Sequence, residues 1–300
     1  MANLRVYTFT YTGNGVMDRA ITGCPFTPSF VHIRSNNAVQ AGVVSWVGLG
    51  ADNTIRTNVA GFHSNRIKSF TSDGITLGTD NIVNFIGAVY YGFMIAGGSD
   101  CYYEGTYVGN GTGTNVITGV GFQFDSLILI RATTSTARIS FGYGNTNFLN
   151  GNTQGSWTAP NSDGFDCGNA NAVINALGST YYFVAWKYQA GFGESNLYVG
   201  DATDNRDIAS IDSPQVVIPK SRSGSQYIYY KSDVMPSGDN SLTYGVGGNL
   251  QPNYIQDLNS TGFQIGSSDP VNRNATNIHY MAFKDNPPSN DVGYRMFLAI

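Results

Sequence analysis

The sequence has little charge. Lys, Arg, Asp and Glu make up 12% of its 300 residues, about half the usual share. The 16 basic and 20 acidic side chains give a net charge of −4, and no basic run is present. Because nucleic-acid binding depends on neutralising phosphates, this composition argues against a nucleic-acid partner. It also provides no attraction to an anionic membrane surface.

Cysteine and histidine are scarce as well. The chain has three of each, widely spaced: Cys24, Cys101, Cys167, His32, His63 and His279. An odd, dispersed set of cysteines is not a disulfide framework, and no CxxC, HxH or HExxH spacing indicates a metal site. We therefore expect free thiols that pack as small apolar side chains, and neither a metal nor another cofactor.

Long apolar runs are missing. No stretch approaches the ~20 residues that span a bilayer, and residues 1–5 lack the apolar core of a signal peptide. We expect a chain made as a soluble protein, without a membrane partner. Gly, Tyr and Phe are abundant, with 37, 19 and 17 copies. Because charge is scarce, solubility has to come from uncharged polar residues such as Asn, Ser and Thr.

An opening phrase occurs twice along the chain. Tyr11–Gly15 and Tyr107–Gly111 both contain Gly-Asn-Gly, and each is followed by Ile-Thr-Gly, at Ile21–Gly23 and Ile117–Gly119. Both pairs are 96 residues apart (107 − 11 and 117 − 21). In a third copy, the best counterparts are Tyr198–Gly200 and a later Val-Val-Ile run. A constant offset of this kind indicates an internal repeat.

A closing phrase occurs three times. Ser72–Gly78, Ser162–Gly168 and Ser260–Gly266 each end in glycine and are followed by an apolar-Asn pair and an aromatic strand pattern. In the third copy, the comparison places His279 where Tyr90 and Tyr181 stand in the others. We therefore expect a structural role for His279.

Periodicity identifies the elements as strands. Tyr7, Phe9 and Tyr11 alternate with threonines, a period of two that is typical of a half-buried strand. Leu127–Ile130 is a short apolar run, typical of a strand buried on both faces or of another core strand. Gly-Asn-Gly and Asp-Gly provide tight turns. The sequence predicts an all-β protein of three tandem β-sandwich (jelly-roll-like) modules, at residues 1–97, 98–190 and 191–300.

Motifs for catalysis are missing. No GxSxG elbow occurs, and the glycine-rich Gly109–Gly113 lacks the Lys-Ser/Thr of a phosphate loop. Asp163 and Asp166 could suggest a glycosidase pair, but the first copy has Asp73 followed by Thr76 at these positions. We predict no catalytic residue, and hence a protein that is not an enzyme.

Two segments remain candidates for binding. The acidic segment Asp201–Asp207 lacks the spacing of a calcium loop, and a solvated loop is favoured over a calcium site. Trp157 lies outside any strand pattern, in the Gly- and Ser-rich stretch 151–160, and is our candidate for contact with a glycan or receptor. Trp46 and Trp186 lie within strand patterns and are predicted to be core residues.

The repeated phrase resembles a module that recurs in tail, fibre and other surface proteins of tailed bacteriophages. The second copy carries the resemblance through the following motifs: Gly109–Gly111, Ile117–Gly119, Gly121–Phe122, Ile130–Arg131, Asp163–Phe165, Asn175 and Tyr182–Lys187. The chain departs from the module at Pro28–Ser29 and Phe124–Asp125, where the family has Pro-Asp. The Asp-x-x-Arg-Gly segment that often joins the two halves is also missing.

The resemblance implies a non-enzymatic virion protein exposed on the tail or capsid surface, with other virion proteins as partners. It would be present as a homo-oligomer or in many copies per particle. The chain has no coiled-coil heptads of the kind that trimerise fibres, which favours a compact accessory or decoration protein. The alternatives are a receptor-recognition protein that binds host-surface glycan and, third, a polysaccharide depolymerase.

Overall fold

The computed structural model describes residues 3–37, 39–57, 61–131, 137–141, 145–148, 151–156, 160–168, 174–221, 227–245 and 247–287. These residues form an all-β structure, as the sequence predicts, and its sheets are antiparallel. Within these ranges, two four-residue helices and one 3-10 turn accompany 25 strands. In this part of the chain no helix is long and apolar enough to cross a membrane.

The first nine strands form one large and one small sheet. They are β1 (Arg5–Thr12), β2 (Arg19–Ile21), β3 (Phe30–Ser35), β4 (Val43–Trp46), β5 (Thr54–Arg56), β6 (Phe62–His63), β7 (Ile67–Thr71), β8 (Gly74–Leu77) and β9 (Val89–Ala96). The first large sheet has the order β1-β9-β3-β4-β5-β6, and the first small sheet has the order β2-β8-β7. The 3-10 turn Val47–Leu49 follows β4, and helix α1 (Asn81–Asn84) precedes β9.

The next eight strands repeat this order. They are β10 (Tyr102–Val108), β11 (Thr114–Ile117), β12 (Ser126–Arg131), β13 (Ala137–Phe141), β14 (Asn145–Phe148), β15 (Gly151–Ser156), β16 (Phe165–Gly168) and β17 (Thr180–Trp186). The second large sheet has the order β10-β17-β12-β13-β14-β15, and the second small sheet pairs β11 with β16.

The last eight strands form the third pair of sheets. They are β18 (Gly193–Val199), β19 (Arg206–Ala209), β20 (Val216–Ser221), β21 (Tyr229–Ser232), β22 (Leu242–Thr243), β23 (Ile255–Asn259), β24 (Gly262–Ile265) and β25 (Asn277–Phe283), with helix α2 (Asp269–Asn272) before β25. The third large sheet has the order β18-β25-β20-β21-β22, and the third small sheet has the order β19-β24-β23. The opening strand thus pairs with the closing strand in each large sheet.

The two faces of each large sheet are buried in different cores. One face of all three sheets contributes to a single central core, which contains Trp46, Trp186 and Phe283. The other faces form three separate outer cores with the small sheets. Strand β12 shows the division, because Ile128 faces the central core and Leu127 a separate outer core. Burial on both faces explains its uninterrupted apolar run.

Polar contacts also join the large sheets. The Gly48 backbone N–H donates to a Glu104 carboxylate oxygen at 2.5 Å, between the first and second sheets. Ser195 donates its hydroxyl to the carbonyl oxygen of Asp125 at 2.8 Å, between the third and second. Arg34 Nε donates to the carbonyl oxygen of Thr243 at 3.1 Å, between the first and third. Each sheet is therefore tied to both of the others.

A buried asparagine recurs within each connection that leads to the closing strand, five residues before that strand begins. Asn84 is fully buried; its Oδ1 accepts from the backbone N–H of Asn14 at 2.9 Å, and its Nδ2 donates to the carbonyl oxygen of Val16 at 2.9 Å. Asn175 and Asn272 make the equivalent two bonds. The asparagine of the closing phrase therefore fastens the opening turn in all three copies.

A glycine in the closing phrase lies against a neighbouring strand. A Cβ added at Gly74 would lie 1.8 Å from the carbonyl oxygen of Ile21, and the residue has φ +158°. Cβ atoms at Gly164 and Gly262 would lie 2.1 and 2.2 Å from the equivalent carbonyl oxygens. A side chain at these positions would collide with the backbone, which explains why glycine ends each turn.

The sequence alignment of His279 with Tyr90 and Tyr181 is wrong by one residue. In the first two copies, the tyrosine of the opening strand pairs with a tyrosine of the closing strand: Tyr11 with Tyr90, and Tyr107 with Tyr181. In the third copy, Tyr198 pairs with Ile278. Ile278 lies in an outer core, whereas His279, although buried, occupies the alternate position of β25. A one-residue slip in a strand moves a side chain to the opposite face. The counterpart proposed for the third opening phrase, Tyr198, does occupy the equivalent position.

Candidate functional site

The candidates from sequence lie in different parts of the molecule. Trp157, the predicted contact for a glycan or receptor, lies outside the described residues. Trp46 and Trp186 are 1% exposed, which confirms that they are core residues. Cys24, Cys101 and Cys167 are buried free thiols, as predicted.

The acidic pair Asp163 and Asp166 has structural contacts. The Asp163 carboxylate accepts the backbone N–H groups of Gly119 and Gly121 at 3.0 and 2.7 Å. These two bonds lower the pKa of Asp163, because they favour the ionised form. Asp166 accepts from the side-chain amide of Asn161 at 3.1 Å. The pair therefore fastens turns of the second copy.

The side chains of Asp201–Asp207 diverge. Asp201 accepts from the backbone N–H of Thr203 at 2.9 Å and lies 3.3 Å from the Arg206 guanidinium. Asp204 accepts from the Gln256 amide at 2.9 Å. Among the described residues, no group of three or more His, Cys, Asp or Glu side chains is placed to hold a metal. The calcium alternative has no preformed ligand cluster in this part of the chain.

His32 is enclosed between the first and third large sheets. It is fully buried, its Nε2 lies 3.1 Å from the carbonyl oxygen of Tyr244, and its ring stacks on Tyr244 with centroids 4.0 Å apart. Burial lowers its pKa to about 3. Since the Nε2–H donates to a carbonyl oxygen and the ring is inaccessible, this neutral imidazole holds sheets together and is not placed to transfer protons to a solute.

A pocket of about 300 Å³ opens beside the third large sheet. We call it the third-sheet pocket. The end of β21 with the segment after it, the turn before β20 and strand β23 line it with polar and apolar groups: Ser213, Pro214, Gln215, Lys231, Ser232, Asp233, Met235, Pro236, Ser237, Asp257 and Leu258. The sequence pattern did not single out these residues, since three separate segments bring them together.

Lys231 supports one wall of the third-sheet pocket. Its ammonium group donates to the carbonyl oxygens of Gly238 and Asn240 at 2.8 and 2.7 Å, and to that of Pro236 at 3.4 Å. Burial lowers its pKa to about 8. Because its three donors are all engaged, Lys231 fixes the loop after β21 and leaves no ammonium N–H for a ligand.

Two carboxylates with solvent access line the same pocket. Asp233 and Asp257 are both exposed, although Asp233 also accepts from the Gln215 side-chain amide at 3.2 Å. Such a site has more acceptors than donors. Its chemistry is suited to binding a group that donates hydrogen bonds, and we find no pairing of nucleophile and base in its lining.

The comparisons with known proteins provide no family. No protein-family model matches the chain, and no curated protein matches it.

Proposed function

We propose that the protein is a non-enzymatic structural component of a bacteriophage virion, exposed on the tail or capsid surface as an accessory or decoration protein. In this proposal, three jelly-roll-like modules share one chain, at residues 1–97, 98–190 and 191–300. The supporting observation is the central core, to which all three large sheets contribute. A shared core suits a rigid load-bearing part better than a string of independent binding modules.

The placement of reactive groups also supports this proposal. His32, Arg34 and Lys231 are buried and make hydrogen bonds to backbone carbonyl oxygens. Glu104 accepts from the hydroxyl of Tyr102 at 2.6 Å as well as from Gly48. Groups that could perform acid–base chemistry elsewhere are thus used to fasten loops and sheets, as expected of a protein whose task is mechanical.

The test is to locate the protein in the particle. An antibody raised against the recombinant chain, applied with a gold label to intact purified virions, should decorate the tail or the capsid at regular positions. Pre-absorption with the recombinant protein should abolish the label. Mass spectrometry of the same washed virions should detect the chain in many copies. Undecorated virions that also lack the chain by mass spectrometry would overturn the proposal.

Two alternative functions, glycan binding and polysaccharide cleavage, each predict the result of a separate assay. Binding to host glycan through Trp157 predicts a signal on a glycan array that is lost in Trp157→Ala. A depolymerase predicts release of reducing ends from host capsule or lipopolysaccharide. The residues described here favour neither over the structural role.

A further inference from the structure

The third-sheet pocket contains an unsatisfied polar group. Ser232 is fully buried, lines the pocket, and its hydroxyl has no hydrogen-bond partner. A buried hydroxyl without a hydrogen-bond partner destabilises the folded state. A ligand that offers a donor to Ser232 Oγ would remove this cost.

Charge complementarity points to the kind of ligand. Residues 191–300 contain 7 Lys and Arg against 11 Asp and Glu, so they carry 7 − 11 = −4. Residues 1–190 contain 9 of each sign and are neutral, so the third segment holds the whole formal net charge of −4. A basic partner would be attracted to this segment and not to the other two.

The lining of the third-sheet pocket agrees with that charge. Its two exposed carboxylates, on Asp233 and Asp257, are acceptors only, and its one cation, Lys231, is committed to backbone carbonyl oxygens. Met235 and Leu258 add apolar surface. An anionic ligand would meet two carboxylates, whereas an aliphatic stem that ends in a cation matches both parts of the lining.

We infer that the third-sheet pocket is a docking site for a lysine or arginine side chain presented by a segment of a partner protein. The aliphatic stem would lie against Met235 and Leu258. The cationic head would donate hydrogen bonds to Asp233, Asp257 and the unpaired hydroxyl of Ser232. This inference concerns the pocket alone and does not depend on the virion proposal.

The probe is the peptide Ac-Gly-Lys-Gly-NH2, titrated into the isotope-labelled full-length protein and followed by NMR. We expect backbone amide shifts at Ser232, Asp233 and Leu258, with a dissociation constant on the order of 1 mM for a single side chain. Raising the salt concentration from 20 to 500 mM should weaken binding. The Nε-acetylated peptide, which keeps the stem and loses the charge, should not bind.

Matched variants distinguish binding in the pocket from non-specific attraction to an acidic surface. Asp233→Asn and Asp257→Asn should each raise the dissociation constant about fivefold. Asp269→Asn removes the same charge from an exposed position of the third segment that does not line the pocket, and should leave binding unchanged.

Several outcomes would overturn the inference. Equal binding of the acetylated peptide would show that the charge is not recognised. An equal loss in Asp269→Asn would show a non-specific acidic surface. Shifts at the same amides with glucose or galactose, but not with the peptide, would assign the pocket to a polyhydroxyl ligand. No shift with the lysine peptide at 20 mM would exclude the site.

Discussion

The rings of His32 and Tyr244 stack with centroids 4.0 Å apart, while His32 Nε2 lies 3.1 Å from the carbonyl oxygen of the same tyrosine. Tyr244 is itself fully buried. Two interactions thus join one residue of β3 to one residue just after β22, across the central core. The imidazole is held neutral, because burial lowers its pKa to about 3.

The first prediction concerns acid stability. Between pH 7 and pH 5, the free energy of unfolding should fall by about 2 kcal/mol, because the unfolded imidazole gains a proton below its ordinary pKa of 6.5 and the buried one does not. The loss should continue as the pH falls towards 3. Urea denaturation at several pH values measures it. The variant His32→Phe should lose this component of the slope; an unchanged slope would contradict the assignment.

The second prediction concerns the recurring asparagine. Asn272→Ala should destabilise the protein by about 2–4 kcal/mol, because it leaves the backbone N–H of Asp201 and the carbonyl oxygen of Thr203 without this partner. Chemical denaturation measures the loss. The control is Asn274→Ala, two residues away and exposed, which should change the stability by less than about 0.5 kcal/mol. Similar values for the two variants would refute the fastening role.

The third prediction concerns the pair that joins the first strand to the segment after the last. Arg5 Nε lies 2.8 Å from the Asp285 carboxylate, which also accepts from the Val6 backbone N–H at 3.1 Å. The Asp285 side chain is 3% exposed. Asp285→Ala should cost about 3 kcal/mol of unfolding free energy, since it leaves a largely buried guanidinium without its carboxylate.

A double-mutant cycle with Arg5→Met isolates the coupling of this pair. The double variant should be more stable than the sum of the two single losses predicts, by about 1 kcal/mol or more. Strict additivity would mean that the two side chains act independently, and the proposed join between the first and third large sheets would then be withdrawn.

The fourth prediction concerns the thiols. Burial raises the pKa of Cys24 and Cys167 to about 12, and it also raises that of Cys101. Because the thiolate is the reactive form, a disulfide reagent at pH 8 should modify none of them in the native protein. All three should react after denaturation. Rapid modification of a native thiol would show that its surroundings open far more often than a packed core allows.

Local patterns of the sequence predicted much of the β structure. Alternation at Tyr7–Tyr11 and the run Leu127–Ile130 identified strands β1 and β12 because periodicity is a local property. The placement of His279 was wrong because the pair His279-Tyr280 was aligned with two Tyr-Tyr pairs by its aromatic character alone. The conserved distance is the six residues from Asn84, Asn175 and Asn272 to the equivalent strand position.

The non-local features could not be obtained in the same way. The central core combines side chains more than two hundred residues apart, such as Trp46 and Phe283, and no pattern within one strand states which sheet its second face will meet. The third-sheet pocket also joins separated segments around Ser213, Ser232 and Asp257. Their meeting depends on loop lengths and strand order, which become visible only in three dimensions.

The two ends of the described chain are neighbours. The side-chain amide of Asn3 donates to the carbonyl oxygen of Pro287 at 3.3 Å and to the side-chain oxygen of Asn286 at 3.2 Å. Among the described strands, each pair joins two strands of the same segment (1–97, 98–190 or 191–300), and no pair crosses from one segment to another. A permuted gene that begins at residue 98 and joins the last segment to the first would therefore preserve each of these sheets.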